Sequence, residues 1–362
     1  NLYVPLIKKN KMRILHLIYS FNIGGAERMV IALANHQIMN NQVGLCIINN
    51  LYSQDLLNEL DSQIQIFHIN RRKGSHNIND VFLLNWYIFR FHPDILHIHD
   101  SDAILYIPVH YLYSTLLTIH ATNLPLKGIK QYDQTVAISK AVANITEKRG
   151  FHKPKVIYNG ILTSAIQQIP QQNRYGEKHF RIIQIGRLEH TIKGQHLLLE
   201  ALFKLGSPCV TVDFVGSGSS EKYLIEITKK LKLENQVNFL GDCDIKWIYQ
   251  HLCKYQLLIQ PSISEGFGLT IAEGMAANVP VLISNLPGPM EIIGEGKFGY
   301  YFKSNDTDDL YLKLKHIITN YKTALNFATK ASKYIAANFN FNQTAEQYIN
   351  IYNESIYKKH HK

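Results

Sequence analysis

Residues 261–291 limit most strongly what this chain can fold into, because an apolar run, a glycine turn and a helical pattern meet there. The apolar run leads into Pro261-Ser262, and the turn Glu265-Gly266-Phe267-Gly268 comes next. Residues 269–277 then predict a helix, and residues 279–284 predict a strand. This order indicates a parallel α/β unit. The unpaired N–H groups at the start of such a helix favour an anion such as a diphosphate.

Two acidic residues accompany this turn. Glu265 lies in the turn itself, and Glu273 lies eight residues later inside the predicted helix. Carboxylate oxygens accept hydrogen bonds from hydroxyl groups, so the hydroxyls of a sugar or of a ribose are plausible partners. Two carboxylates can also act as a catalytic pair, and the spacing alone leaves both roles open.

The same alternation recurs along the chain and predicts an α/β protein with two Rossmann-like, doubly wound parallel sheets. At 362 residues, the chain exceeds one ordinary core. The polar residues 162–178 interrupt the pattern and are predicted to link an N-terminal domain, 1–161, to a C-terminal domain, 179–340. Residues 341–362 are predicted as a helix that packs back on the N-terminal domain. The carboxyl ends of both sheets would face an interdomain cleft, where a ligand should bind.

Polar and glycine residues follow several of the predicted strands. Gly24-Gly25 follows the strand at 13–19, and His120 follows the strand at 116–119. His97, His99 and Asp100 could be metal ligands, but we interpret them as ordinary polar residues of a strand end and predict no metal site.

Arg187 and Lys193 follow the predicted strand at 180–185. Both side chains are cationic, so together they can clamp a diphosphate. In isolation they could equally be an exposed pair in a loop. Their position in the same predicted cleft as the 261–291 turn favours the clamp.

The chain is basic, with a net charge of +10. Residues 1–160 account for +6, from 16 Lys and Arg against 10 Asp and Glu. This charge is compatible with an anionic substrate, an anionic membrane surface or nucleic acid, or simply with a basic soluble protein. The basic residues 8–13 and 71–73 and the aromatic residues within 82–91 could face lipid headgroups, although we favour a core position for the aromatic residues.

Four cysteines without CxxC spacing indicate reduced cytoplasmic thiols, neither a disulfide framework nor a zinc site. No secretory signal is recognisable. The apolar run at 103–119 is broken by Pro108 and is shorter than the ~20 residues of a membrane span. We interpret it as a helix, 104–113, followed by a strand. We therefore expect a cytoplasmic protein, with peripheral contact with the inner face of the plasma membrane as an open alternative.

Together the motifs resemble the retaining GT-B glycosyltransferases of family 4 along the whole chain. The matching pieces are Gly24-Gly25-Ala26-Glu27, Thr118-Ile119-His120, Ala137-Ile138-Ser139, Tyr158-Asn159-Gly160, Gly186-Arg187-Leu188 with Lys193-Gly194, and Pro261-Ser262 with Glu265-Gly266-Phe267-Gly268 and Glu273. The spacing of the two acids around the glycine turn is the specific part. The other pieces are individually weak but occur in the order of the family.

The resemblance implies transfer of a sugar, with retained anomeric configuration, from a nucleotide sugar to an acceptor hydroxyl. The expected donor is a UDP-sugar, and the expected acceptor is a glycan or a lipid-linked molecule in bacterial surface polysaccharide, glycolipid or glycan biosynthesis. No cofactor, metal or nucleic acid is expected. A sugar-nucleotide epimerase of the same fold and an inactive module that binds nucleotide sugars are the alternatives.

The resemblance also assigns roles to residues. Glu273 would hold the ribose hydroxyls, Glu265 the hydroxyls of the donor sugar, and Arg187 and Lys193 the diphosphate. Further donor contacts would come from His120, from Gly24 and Gly25, from backbone N–H groups around Phe267, Gly268 and Leu269, and from Asp242 beside the base. Asn159 and Glu291 would support the site without touching the donor, Glu291 from the same helix as Glu273. The implied catalytic residues are Glu265, His120, Arg187 and Lys193.

The chemistry of the leaving group agrees with these roles. A departing nucleoside diphosphate gains negative charge, which Arg187, Lys193 and a helix N-terminus can stabilise without a metal. A hydrolase would need two carboxylates that flank the reacting bond, about 5–9.5 Å apart. Glu265 and Glu273 are instead predicted to lie beside the donor, so we expect them to bind it and not to act as nucleophile.

Overall fold

The computed structural model describes residues 11–75, 77–169 and 179–361. The chain divides into two compact units. The first contains the residues up to Tyr158 together with those from Thr344 onward, and the second contains Asn159–Gln343. Of the predicted linker, residues 170–178 lie outside the described residues. The described residues of this linker, 162–169, belong to the second unit. The Gln167 N–H donates to the Tyr249 carbonyl, and the Gln168 side-chain amide donates to the Ala276 carbonyl.

A parallel sheet of seven strands forms the centre of the first unit. Its spatial order is β3-β2-β1-β4-β5-β6-β7. The strands are β1 (Arg13–Ile18), β2 (Gln42–Asn49), β3 (Gln65–Arg71), β4 (Ile95–Ile98), β5 (Ser114–Ile119), β6 (Gln134–Ala137) and β7 (Lys155–Val156). Most residues of the central strands are buried, as expected for a parallel sheet that is covered on both faces.

The helices of the first unit connect these parallel strands. They are α1 (Gly25–Gln37), α2 (Gln54–Leu57), α3 (Ile78–Phe91) and α4 (Lys140–Lys148). The helix predicted at 104–113 is wrong. The structure has two short 3-10 turns there, Ala103–Tyr106 and His110–Leu112. Pro108 lies between them, and proline removes a backbone donor and disfavours the helical conformation of the residue before it.

The expectation that the aromatic residues within 82–91 lie in the core is wrong for three residues of helix α3. Leu84, Ile88 and Phe91 are buried at helical spacing. Phe82, Trp86 and Phe89 lie on the opposite face and are 68%, 49% and 71% exposed. The offset of two residues, about 200° on a helix, separates the two faces. The described helices include none that is long and apolar enough to cross a bilayer.

The second unit contains a parallel sheet of six strands in the order β10-β9-β8-β11-β12-β13. Its strands are β8 (Phe180–Ile185), β9 (Val210–Val215), β10 (Val237–Phe239), β11 (Leu257–Gln260), β12 (Val281–Ser284) and β13 (Tyr300–Phe302). Its helices are α5 (His190–Lys193), α6 (Gln195–Leu205), α7 (Glu221–Lys230), α8 (Ile245–His251), α9 (Leu269–Ala276), α10 (Pro287–Ile292), α11 (Thr307–Thr319) and α12 (Tyr321–Asn338). The prediction of two doubly wound parallel sheets is confirmed.

The last helix, α13 (Phe341–His360), crosses from the second unit to the first. Tyr348 and Tyr352 are fully buried among residues of the first unit. Their hydroxyl groups lie close to polar side chains of β4 and β5.

The strand orders identify one place in each unit where a ligand is expected. Doubly wound sheets bind ligands outside the carboxyl ends of the strands, where the strand order reverses. In the first unit this point lies between β1 and β4, and in the second it lies between β8 and β11. The predicted residues of the loops after β1, β8 and β11 therefore lie at such points.

Candidate active site

In the second unit, the loops after β8 and β11 are bonded to each other. The N–H groups of Ile263 and Ser264 donate to the Ile192 carbonyl over 2.8 and 3.2 Å. Gly194 lies beside this contact with a φ of 67°, and a Cβ added there would lie 2.0 Å from the Pro261 carbonyl oxygen. Only glycine fits both this conformation and this approach. The turn that carries Lys193 is thereby held against the loop that carries Glu265.

Lys193 and Glu265 form an ion pair at this junction. The Lys193 Nζ lies 2.6 Å from Glu265 Oε2, and the two side chains are 18% and 16% exposed. The backbone of Lys193 is held in place, because its carbonyl accepts a hydrogen bond of 3.0 Å from the side-chain amide of Gln184. The cation and the carboxylate are both partly exposed, and groups of these two kinds can bind phosphate and hydroxyl groups of a ligand.

Arg187 lies in the same loop with a different environment. Its side chain is 59% exposed, and its nearest carboxylate is Glu189, 3.7 Å away. The Arg187 carbonyl accepts a hydrogen bond of 2.9 Å from the Gln195 amide, which fixes the backbone. The guanidinium group is thus a solvent-exposed cation near the switch point of the sheet, whereas the Lys193 ammonium group is mostly buried in its ion pair.

The turn before α9 has the form that the sequence predicts. Gly268 has a φ of 106° and precedes Leu269, the first residue of the helix. Phe267 is buried and packs against Phe339, with ring centroids 5.9 Å apart, so only its backbone is available to a ligand. Glu273 is buried within the second turn of α9. The N–H groups at the start of α9, directly after Gly268, form the positive end of the helix dipole.

Glu291 does not lie on the same helix as Glu273, and this expectation is wrong. Helix α9 ends where Asn278 takes a positive φ of 61°, and strand β12 follows. Glu291 belongs to the next helix, α10. A left-handed residue ends an α-helix because the chain can no longer continue its hydrogen bonds.

Two further predicted residues lie in the second unit. Asp242 follows β10 and accepts a hydrogen bond of 2.6 Å from the Ser217 hydroxyl, which joins the loops after β9 and β10. Gly216 and Gly241 form a backbone bridge at the same place. Asn159 is buried, and its Oδ1 is shielded from water without a hydrogen-bond partner among the described residues.

In the first unit, Gly24 and Gly25 begin helix α1 directly after β1. Gly24 is the N-cap residue in an extended conformation, and Gly25 is the first helical residue. The next loop along the sheet is bonded to this region, because the Tyr19 N–H donates to Asp100 Oδ2 over 2.7 Å. Burial raises the pKa of Asp100 to about 6.

His120, at the end of β5, is connected to a buried cluster of histidines. Its Nε2 lies 2.9 Å from His99 Nδ1, and His99 Nε2 lies 3.1 Å from His16 Nδ1. His97 lies beside them, with its ring 4.2 Å from that of His99. Burial lowers the pKa of His16 and His120 to about 4, and lowers the pKa of His97 and His99 well below the ordinary value.

His16, His97 and His99 each have a ring nitrogen within 4.8 Å of the others, which is a spacing that a metal ion could use. Every ring nitrogen of the three lies within hydrogen-bonding distance of a protein group. A cation would have to displace these hydrogen bonds. The arrangement therefore favours a hydrogen-bonded cluster over a metal centre.

The two units separately bring predicted residues together. The second unit unites Lys193 with Glu265 and places Arg187 in the same loop. The first unit joins His120 to a cluster that we did not predict as a group, because its members come from distant parts of the chain. His97 and His99 are two residues apart in the sequence, but nothing in the sequence pairs them with His16 or Gln37.

Two doubly wound units, each with polar side chains where its strand order reverses, are the architecture of the GT-B glycosyltransferases. The comparisons with known proteins give the family. The family model described as Glycosyl transferases group 1 matches residues 165–334, and that of Glycosyltransferase Family 4 matches residues 23–165. The chain belongs to the group 1 glycosyltransferases.

The relatives are distant but extend over most of the chain. The glycogen synthase of Mycobacterium tuberculosis is 24% identical over 286 residues, which cover 72% of this chain and 68% of the relative. The N-acetyl-alpha-D-glucosaminyl L-malate synthase of Bacillus anthracis is 25% identical over 72% of this chain and 74% of its own. The crystal structure of Anabaena HepE with UDP and glucose has a TM-score of 0.81 at 22% identity and covers 95% of this chain and 100% of HepE. HepE has also been solved with UDP-glucose.

Proposed function

We propose that this glycosyltransferase uses a UDP-sugar as donor and transfers the sugar to an acceptor hydroxyl with retained anomeric configuration. The observation that carries the proposal is the ion pair of Lys193 with Glu265, next to Arg187 and the N-terminus of α9. Cations and helix N–H groups suit the diphosphate of such a donor, and carboxylates suit its hydroxyls. The UDP and UDP-glucose in the HepE structures support the choice of nucleotide.

In this proposal, Arg187 and Lys193 stabilise the charge that develops on the leaving diphosphate. These two cations can supply that stabilisation themselves, so we propose metal-independent transfer. Glu265 orients the sugar through its hydroxyls, and Glu273 holds the ribose. His120 contacts the sugar, and the backbone at Gly24 and Gly25 lies close to the reacting centre. Asp242 borders the base.

The ribose role of Glu273 gives a direct prediction. We expect Glu273→Gln to raise the Kd for UDP about tenfold, because hydrogen bonds to charged groups contribute about 1.5–3 kcal/mol and the amide keeps part of them. Isothermal titration with UDP measures this effect. Glu226→Gln, an exposed residue of α7, is the matched control and should bind UDP like the parent. Equal affinity for UDP in the parent protein, Glu273→Gln and Glu226→Gln would show that Glu273 does not bind the nucleotide.

One assay separates the proposed reaction from its alternatives. Incubation with a panel of UDP- and GDP-sugars, without acceptor, should give slow release of the nucleoside diphosphate from one donor and no change of the sugar's configuration. An epimerised donor would identify a sugar-nucleotide epimerase. Tight UDP binding with no turnover of any donor, even with acceptors present, would identify an inactive binding module.

We also propose that the acceptor is a glycan or lipid-linked molecule of bacterial surface polysaccharide, glycolipid or glycan synthesis, and that the enzyme works in the cytoplasm at the membrane surface. The supporting observation is the outer face of α3, formed by Ile78, Phe82, Trp86 and Phe89, all exposed. Arg72, Lys73 and Arg90 are exposed on or close to this helix, and Arg90 lies over the Trp86 ring at 5.3 Å. Apolar side chains beside basic groups match an anionic lipid surface.

The membrane proposal predicts flotation of the protein with anionic vesicles. We expect the triple variant Phe82→Ser, Trp86→Ser, Phe89→Ser to lower the bound fraction about tenfold or more, since each apolar side chain contributes on the order of 1 kcal/mol when it enters the interface. The matched control replaces three exposed apolar residues of the second unit, Phe203, Tyr223 and Leu312, by serine. A parent protein that does not float with phosphatidylglycerol vesicles at low salt would refute the proposal.

A further inference from the structure

A chain of hydrogen bonds connects Gln37, the last residue of α1, to His120. Gln37 Oε1 lies 2.8 Å from His16 Nε2, and His16 Nδ1 lies 3.1 Å from His99 Nε2. His99 Nδ1 then lies 2.9 Å from His120 Nε2. We call these four residues the histidine chain. Gln37, His16 and His99 are buried, so the hydrogen bonds between them are shielded from water.

All hydrogen bonds of the histidine chain donate in the same direction, from His120 toward Gln37, because each histidine is neutral near pH 7. Burial lowers the pKa of His16 and His120 to about 4 and that of His99 further below its ordinary value. A neutral imidazole has one N–H donor and one bare acceptor nitrogen. The Gln37 oxygen can only accept, so His16 carries its proton on Nε2. The bare His16 Nδ1 accepts from His99 Nε2–H, and the bare His99 Nδ1 accepts from His120 Nε2–H.

A second branch from Gln37 supports the same direction. The Gln37 amide nitrogen donates to the Tyr352 hydroxyl over 3.1 Å, which frees that hydroxyl to donate to His97 Nδ1 at 2.7 Å. His97 Nε2–H then donates to Thr118 Oγ1 over 2.8 Å. Rotating the Gln37 amide by 180° would reverse every bond in both branches. The tautomer of His120 is therefore coupled to the orientation of one amide on α1.

The histidine chain leaves Nδ1 of His120 as the atom without a proton. The His120 ring is partly exposed, but Nδ1 is shielded from water and has no partner among the described residues. A buried acceptor without a partner costs about 1–3 kcal/mol. We propose that Gln37 is a positioning residue that, through His16 and His99, holds His120 in the Nε2–H tautomer, so that Nδ1 is a bare acceptor for a hydroxyl of the donor sugar once a shift of the partly exposed ring opens Nδ1 to it. The sugar contact rests on the proposed function, whereas the tautomer does not.

Nuclear magnetic resonance reads the tautomer directly. Long-range ¹H–¹⁵N correlation spectra of ¹⁵N-histidine-labelled protein at pH 7.5 distinguish a bare Nδ1 from a protonated one. We expect the Nε2–H pattern for His16, His99 and His120, assigned by the loss of signals in His16→Asn, His99→Asn and His120→Asn. The opposite tautomer at His120 in the parent protein would overturn the proposal, and this result needs neither a substrate nor a variant of Gln37.

Gln37→Met tests the positioning role, because methionine fills a similar volume but cannot accept the His16 proton strongly. We expect the His120 signals to show a mixture of both tautomers in this variant. The control is Tyr348→Phe, which removes a buried hydroxyl 3.2 Å from Thr118 Oγ1 but leaves the histidine chain intact. An unchanged Nε2–H pattern at His120 in Gln37→Met would show that Gln37 does not set the tautomer.

Kinetics test the sugar contact. We expect Gln37→Met to lower kcat/KM for the sugar donor about three- to tenfold, the range of one neutral hydrogen bond, without changing the affinity for UDP, which lacks the transferred sugar. Tyr348→Phe should leave both quantities within twofold of the parent. Equal losses of UDP and donor affinity in Gln37→Met would indicate general damage and overturn the contact. Absence of transfer in the parent protein would instead count against the proposed function and leave the spectra valid.

Discussion

Lys193→Met is expected to lower kcat/KM for the nucleotide-sugar donor by on the order of 10²–10³, the usual effect of removing one preorganised group that stabilises transition-state charge. The ammonium group is fixed by the Gly194 turn and lies 2.6 Å from Glu265, so it needs no reorganisation when the diphosphate departs. Methionine keeps most of the aliphatic stem, which separates the lost charge from lost packing. Steady-state kinetics with the donor identified by the panel measure the effect.

Lys193 could act on the leaving phosphate or only hold Glu265 in position, and variants of these two residues separate the two roles. If Lys193 acts on the leaving phosphate, the effect should appear mainly in kcat, and the donor Kd should rise less. If Lys193 only holds Glu265, adding Glu265→Gln to Lys193→Met should cause no further loss, because a double-mutant cycle then shows full coupling. Lys204→Met, in an exposed ion pair with Asp308 in the same unit, is the control and should retain parental kinetics. A loss below threefold in Lys193→Met would contradict the assigned clamp.

Much of this fold could be predicted from the sequence because its signals are local. Buried parallel strands appear as short apolar runs, and the glycines after them mark the turns at the carboxyl edge. Strand β8 has the predicted bounds, residues 180–185. The turn from Glu265 to Gly268 has a positive φ at Gly268, as its glycine suggested. In each case a few neighbouring residues determine the conformation.

The errors arose where one local signal opposed another. The run at 103–119 is apolar enough for a helix, but Pro108 divides it into two 3-10 turns. The aromatic residues of α3 are apolar enough for a core, yet their spacing places them on the outer face. Hydrophobicity alone predicted burial, whereas the helical period decided which face was buried.

The long-range pairings could not be predicted at all. Lys193 and Glu265 are 72 residues apart, and their contact depends on the close approach of Gly194 to Pro261. The histidine chain joins residues of β1, α1 and the loops that follow β4 and β5. A single sequence contains candidate residues for such sites, but the topology of the sheet determines which of them meet.

The buried histidines also predict a steep loss of stability of the first unit in mild acid. Burial keeps His16, His97, His99 and His120 neutral in the folded state, with the pKa lowered to about 4 for His16 and His120 and well below the ordinary value for the other two. In the unfolded chain these groups bind protons near pH 6.5. Their contribution to stability is therefore complete above pH 6.5 and is lost as the pH falls from there toward 4.

We expect the four histidines to lower the free energy of unfolding by roughly 5.5 kcal/mol between pH 7.5 and 5.5, since each contributes about 1.4 kcal/mol per pH unit below 6.5. Asp100 acts in the opposite direction, because burial raises its pKa to about 6, and it offsets about 1 kcal/mol of this loss. Urea unfolding of a Trp247→Phe variant, in which Trp86 reports on the first unit, measures the change. His152→Gln, at an exposed position, should leave the pH dependence unaltered, whereas His99→Asn should remove about a quarter of it. A stability at pH 5.5 within 1 kcal/mol of that at pH 7.5 would mean that the cluster takes up protons in the folded state, and the directed hydrogen bonds from Gln37 to His120 would then be wrong as well.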